Sequence, residues 1–143
     1  LRHEAGQASS QPYRGARMTE LLAVKPGDRI LEIGTGSGYQ AAILAMLGAR
    51  VTSLERQEVL ADTARARIHH LALDQEIEIR VADGSLGDPA AAPWDGIIVT
   101  AAAPPTPNAL REQLEHCCRL VIPAGPRARP TMMVVTRHGR EST

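Results

Sequence analysis

The sequence predicts an α/β fold, a doubly wound, mostly parallel sheet with helices on both faces. Three observations point to it. Short β-prone apolar runs alternate with helical patterns along the chain. The first run ends in Gly34, Gly36 and Gly38, and a helical stretch begins directly after them. The length, 143 residues, suits one domain rather than two.

Taken in order, Arg29 to Ile33 (RILEI) is the first predicted strand, and Tyr39 to Leu47 is the first predicted helix after the glycines. Arg50 to Glu55 is a second strand. From Gln57 to Leu73 the positions Leu60, Ala64, Ile68 and Leu71 fall on one helical face. Glu76 to Val81 alternates as a strand, Gly96 to Thr100 is an apolar strand, and Arg119 to Pro123 and Met132 to Thr136 are two more. Pro104, Pro105 and Pro107 break the chain before a short amphipathic helix over Asn108 to Leu114, and Gly125 to Pro130 reads as a mobile loop. Parallel sheets covered on both faces bind ligands beyond the carboxyl ends of their strands. Function is therefore expected around Glu32 to Gly38, Glu55-Arg56, Asp83-Gly84 and Thr100-Ala101.

Sixteen Lys and Arg balance sixteen Asp and Glu, which leaves no global field to attract nucleic acid or an anionic membrane. The longest strongly apolar stretch, Ala41 to Leu47, is far short of the roughly 20 residues of a membrane span. Cys117 and Cys118 are adjacent, which suits neither a disulfide framework nor a CxxC metal site, so a reducing cytoplasm is expected. No metal site is expected: His69-His70 reads as a solvated helix face. His116 with Cys117-Cys118 reads as a buried structural group in preference to a nucleophile and base.

Glycine at alternate positions lets the backbone turn tightly and approach a ligand. A dinucleotide fingerprint would require a third glycine at position 39, which is Tyr39, so the loop fits an acidic-x-GxGxG pattern better. Glu32 suits a ligand ammonium, such as the amino-acid end of S-adenosylmethionine, better than a pyrophosphate. Glu55 ends the second strand, where a carboxylate accepts from both ribose hydroxyls, a feature shared with NAD sites. Asp83-Gly84 ends the third, where a carboxylate accepts from an adenine amino group. Singly, these residues are ordinary turn formers and helix caps. Together, at successive strand ends, they make a nucleoside site.

These residues resemble the Rossmann-like S-adenosylmethionine-dependent methyltransferases, and more narrowly the protein-L-isoaspartate O-methyltransferases. The resemblance runs from about Gly6 to Thr136. It is most specific at Gly6-Gln7 with Ser10-Gln11-Pro12-Tyr13, Ala16 to Leu22, Leu31 to Gln40, Asp83-Gly84, Ile97 to Pro104 and Arg119 to Pro123. It implies that Glu32, Gly34, Gly36 and Gly38 hold the methionine part of the cofactor, Glu55 the ribose and Asp83-Gly84 the adenine. Thr35, Arg56 and Thr100, with Ala8 and Ser9, complete the expected cofactor-binding set. The family's Thr-Ile-Ser segment over the cofactor maps onto Ala8-Ser9-Ser10, where only Ser10 matches. Arg14-Gly15 replace residues that are commonly apolar, and Cys117-Cys118 stand where the family has glycines. The family's N-terminal helical segment and final strand have no counterpart here, so a form truncated at both ends is expected. Within it, residues 1–23 would form an active-site loop and first helix, and 24–143 the cofactor-binding core.

The implied reaction carries the sulfonium methyl of S-adenosyl-L-methionine to the free α-carboxylate of an L-isoaspartyl residue, leaving S-adenosyl-L-homocysteine. The acceptor is ionised at pH 7, since its pKa is roughly 3 to 4, so no general base is needed. Ser10 is the expected catalytic residue, in a role that positions the carboxylate. The expected partners are isoaspartyl-containing peptides and proteins, without nucleic acid or membrane, bound by a monomer. Alternatives are a related methyltransferase for another carboxylate acceptor, such as a peptide natural product, a non-catalytic cofactor-binding homologue, and a nicotinamide oxidoreductase.

Overall fold

Strand β1 (Arg29–Ile33) is the centre of the molecule, with β2 (Arg50–Glu55) on one side and β4 (Trp94–Val99) on the other. The computed structural model describes residues 16–100, 107–124, 131–138 and 141–142. Strand β3 (Ile77–Val81) pairs outside β2, and β5 (Leu114–Ala124) outside β4, all in parallel. Strands β6 (Thr131–His138) and β7 (Glu141–Ser142) add antiparallel, giving the order β3-β2-β1-β4-β5-β6-β7. The doubly wound, mostly parallel sheet is thus as expected.

Alternation along the strands divides the core. Ile30, Val51, Ile77, Ile98 and Val121 face the side covered by α1 (16–22), α2 (Tyr39–Met46) and α3 (Glu58–His70). Leu31, Leu54, Ile97, Val99, Leu120 and Ile122 face the side that packs Trp94 and Leu110 of α4 (Pro107–Arg111). Small residues allow close layers. A Cβ on Gly96 would lie 2.9 Å from Ile30 Cδ1 and 3.1 Å from Leu22 Cδ1, so α1 rests directly on β4. Helix α1 is also tied by Gln40 Nε2, which donates to Thr19 Oγ1 at 2.6 Å, and by Arg119 Nη1, which donates to Leu21 O at 2.9 Å.

Three local readings change. The buried face of α3 is Ala61, Ala64 and Ile68, whereas Leu60 and Leu71 are exposed, because α3 lies so close to the glycine loop that a Cβ on Gly38 would be 3.4 Å from Ala64 Cβ. The helix expected to reach Leu114 ends at Arg111, and Leu114 opens β5 opposite Trp94. Between Leu114 and Arg119 the strand bulges, since its partners Trp94 and Gly96 are only two positions apart. Cys117 lies in that bulge, exposed and with φ of 64°, and Cys118 is partly exposed, so neither is the buried group expected. On the far edge of the sheet, Arg65 of α3 donates from Nη2 to Ile79 O of β3 at 2.8 Å. No helix among the described residues is long and apolar enough to cross a membrane.

Candidate functional site

The strand order reverses direction at β1, which has β2 on one flank and β4 on the other. A crevice therefore opens at the carboxyl ends of β1 and β4. The loop leaving β1 fills its floor. Gly34, Gly36 and Gly38 have φ of 94°, 56° and 87°, left-handed values that strain any residue with a Cβ. Gly38 is the N-cap of α2 and has no side chain to cap it, and Tyr39 N donates instead to Ser37 Oγ at 3.4 Å, so the loop runs directly into a helix start. Two neighbours hold the loop. Gly34 N donates to Leu54 O at 2.9 Å. From the β4 side, Thr100 donates from its backbone N to Ile33 O at 2.9 Å and from its hydroxyl to Gly34 O.

Beneath the loop lies a buried polar network that follows from register. The parallel pairing sets Glu32 of β1 beside Ser53 of β2 on the same face. Ser53 Oγ donates to Glu32 Oε1 at 2.6 Å, and Thr35 of the loop completes the chain with its hydroxyl 2.5 Å from Ser53 Oγ. Glu32 is wholly buried and its Oε2 has no hydrogen-bond partner among the described residues. Burial raises its pKa from 4.5 to about 8. The Ser53 hydrogen bond opposes this rise and the charge of Glu55 adds to it. Glu55 ends β2 on the same side. Its Oε1 accepts from Thr35 N at 3.1 Å and Gly36 N at 3.2 Å, and its Oε2 from Gln57 N at 3.0 Å, at the start of α3. Glu55 thus clasps the glycine loop and holds the N-cap residue of α3 with one carboxylate.

Asp83 follows β3, exposed, and accepts from Ser85 N at 3.0 Å at the head of the short helical turn Gly84–Leu86. That backbone hydrogen bond, helped by the positive charge of Arg56, holds its carboxyl below the usual range, so an ionised acceptor stands at the rim. Gly84 is buried, and a Cβ there would meet Ile33 Cγ2 at 2.9 Å. The turn is moored by Gln113, a buried residue just before β5. Its Nε2 donates to Leu86 O at 2.7 Å and its Oε1 accepts from Asp88 N at 2.9 Å.

The structure therefore gathers Glu32, Gly34, Thr35, Gly36, Gly38, Glu55 and Thr100 at one crevice, with Arg56, Asp83 and Gly84 on its β2–β3 side. Ala8, Ser9 and Ser10 lie outside the described residues, as do Arg14, Gly15 and Gly125 to Pro130. Ser53 and Gln113 were missed by reading the sequence. Alternation along β2 could have found Ser53, which shares the inward parity of Val51 and Glu55. His69 and His70 are exposed, and His69 Nδ1 lies 3.0 Å from Asp74 on the surface. A concavity of about 230 Å³ at the opposite ends of β1, β2 and β3, lined by Arg29, Arg50, Asp74, Glu76 and Trp94, includes none of the candidate residues.

The crevice fits an adenosyl sulfonium better than a nucleoside phosphate. The carboxylates of Glu55 and Asp83, at the ends of two adjacent strands, disfavour a phosphate and accept from hydroxyl and amino groups, while Glu32 lies buried under the loop.

Comparison with known proteins agrees. Residues 1–143 match the family described as Protein-L-isoaspartate(D-aspartate) O-methyltransferase. A protein-L-isoaspartate O-methyltransferase of Methylorubrum populi is 50% identical over 137 residues, 96% of this chain and 64% of its own length. One from Methanoregula boonei is 50% identical over 133 residues, 93% of this chain and 61% of its own. The chain thus spans somewhat under two thirds of these curated relatives. A solved protein-L-isoaspartate O-methyltransferase superposes with a TM-score of 0.78 at 26% identity, covering 90% of this chain and 42% of that one. An S-adenosylmethionine-dependent O-methyltransferase from Thermotoga maritima gives 0.71 at 26% identity, with 82% and 45% covered. With its glycine loop, its sheet order and a match along its whole length, the chain belongs to the protein-L-isoaspartate (D-aspartate) O-methyltransferase family.

Proposed function

We propose that the protein methylates the free α-carboxylate of L-isoaspartyl residues in damaged peptides and proteins, with S-adenosylmethionine as donor. The observation that carries this reading is the row of carboxylates around a glycine loop whose three φ values are all positive. It selects a nucleoside that carries positive charge, and family membership supplies the acceptor class. The cofactor supplies an electrophilic methyl group on sulfonium. The residues of this chain bind and orient. Gly34, Gly36 and Gly38, with Thr35, turn the loop so that it can approach the methionine part without a Cβ at the glycines, and Thr100 fixes the loop from β4. Glu55 offers the lone pairs left free by its loop contacts to the ribose, and Asp83-Gly84 receive the adenine, with Arg56 alongside. Glu32, protonated at neutral pH by its burial, gains reason to ionise when a ligand ammonium approaches.

The acceptor needs no base, because a carboxylate with a pKa of roughly 3 to 4 is already ionised at pH 7. Ser10, with Ala8 and Ser9 beside it, is assigned the positioning of that carboxylate. The protein is read as a cytoplasmic monomer that acts on peptide and protein partners.

Methyl transfer to matched isoaspartyl, aspartyl and unmodified peptides, with calorimetry against S-adenosylhomocysteine and NAD, tests the reading. Turnover confined to the isoaspartyl peptide and binding of S-adenosylhomocysteine alone are expected. Turnover only on another carboxylate would move the acceptor, binding without turnover would leave a cofactor-binding homologue, and binding of NAD alone would make it an oxidoreductase site.

A further inference from the structure

We infer that Gln113, which is outside the crevice, is a positioning residue that sets how the site recognises the adenine amino group. The inference rests on the assignment of Asp83 to adenine. Gln113 lies between α4 and β5, buried, and every polar atom of its side chain is used: Nε2 donates to Leu86 O at 2.7 Å and to Ala109 O at 3.2 Å, and Oε1 accepts from Asp88 N at 2.9 Å. Two of these groups belong to the segment that follows Asp83. Asp83 caps the turn Gly84–Leu86, so its carboxylate is aimed by the turn, and the far end of the turn is held by Gln113.

The surroundings specify glutamine. Leu86 O and Ala109 O only accept and Asp88 N only donates, so a carboxylate would face two carbonyls and an apolar side chain would strand three backbone groups. Gly87 makes room for it, since a Cβ there would stand 2.5 Å from Gln113 Oε1, and its φ is 70°. A second tie, Arg80 Nη2 to Asp88 Oδ2 at 2.6 Å, fixes the segment after Gly87. Gln113 also joins the turn to Ala109 of α4, the helix that follows the Ile97 to Pro104 stretch.

A residue that merely stabilises the fold would weaken all ligands alike, whereas one that aims Asp83 alters selectivity. The test measures the dissociation constants of S-adenosylhomocysteine and of its 6-desamino analogue, in which hydrogen replaces the adenine amino group. Wild type, Gln113→Met, Gln113→Glu and Leu120→Ala are compared, the last a core variant whose side chain makes no hydrogen bond to the turn. Wild type is expected to prefer the amino form about tenfold, the magnitude of one hydrogen bond to a charged acceptor. Gln113→Met is expected to reduce that preference to about twofold, Gln113→Glu to an intermediate value, and Leu120→Ala to leave it intact. Unchanged preference in both Gln113 variants, or equal loss in Leu120→Ala, would overturn the inference while leaving the site assignment in place. A wild type without preference overturns the assignment of Asp83 and the inference with it.

Discussion

Glu32 holds a proton in the folded protein up to about pH 8, against 4.5 for an ordinary glutamate, because burial, and then the charge of Glu55, disfavour the carboxylate. Between those values the native state binds the extra proton and the unfolded chain does not, so stability falls as pH rises. The contribution is complete below 4.5 and is lost as pH passes through about 8. Urea unfolding of the wild type and Glu32→Gln at pH 5, 6, 7 and 8 should give a difference in stability that declines with pH, by at most about 1.4 kcal/mol per unit. A flat difference would refute the proton on Glu32. At this scale the acidic and glycine positions were legible because spacing places them at strand ends. Ser53 was legible only as an inward position, by its alternation with Val51 and Glu55; that it lies beside Glu32 comes from the pairing of two strands, which a single strand does not reveal. Cys117 was misread for a related reason. Free cysteine is usually buried, but here a bulge with φ of 64°, an angle that suits glycine better, sets the exposure.

Helix α1 shows how an element is placed by what it avoids. Leu22 buries directly against β4 because position 96 has no side chain, and Met18 lies in the same core cluster. Gly96→Ala would set a methyl 2.9 Å from Ile30 Cδ1 and 3.1 Å from Leu22 Cδ1, so these side-chain ends, and with Leu22 the helix α1, must give way, at a cost of about 1–3 kcal/mol. Because α1 follows directly on residues 1–15, the shift should lower methyl transfer to peptide more than affinity for S-adenosylhomocysteine. Steady-state kinetics beside calorimetry would check this, and equal losses would count against it. Strand and helix positions were readable from apolar periodicity. The inward face of α3 was readable at Ala64 and Ile68 but not at Leu60 and Leu71, because a close approach selects alanine over leucine, the reverse of what hydrophobicity alone ranks first.

For the whole molecule, the alternation of strands and helices was enough to place function at the carboxyl ends of the strands, whereas the point where strand order reverses comes from the pairing of β1 with both β2 and β4. The direction of β6 was not in the apolar pattern. It follows from connection length, because the six residues 125–130 are too few for a parallel crossover of about a dozen or more. The two halves of the sheet therefore differ: parallel strands with the site at their carboxyl ends, and an antiparallel margin closing the β5 side.

The other margin is β3. Val51 N bonds Glu76 O and Ala82 N bonds Glu55 O, so the even-numbered residues of this strand face β2 and the carbonyl of Ile79 points outward. Arg65 occupies that carbonyl. A strand from another molecule approaching this edge would find an acceptor taken and a cation in its path, which makes the arginine a guard against edge-to-edge aggregation. Arg65→Ala should leave the melting temperature within about 2 °C, as surface changes usually do, yet raise light scattering on incubation below melting. Unchanged scattering would show that the edge is protected by other means. A protein read as repairing damaged chains would then carry, on its own sheet, a side chain that keeps it from becoming one of the aggregates such damage promotes.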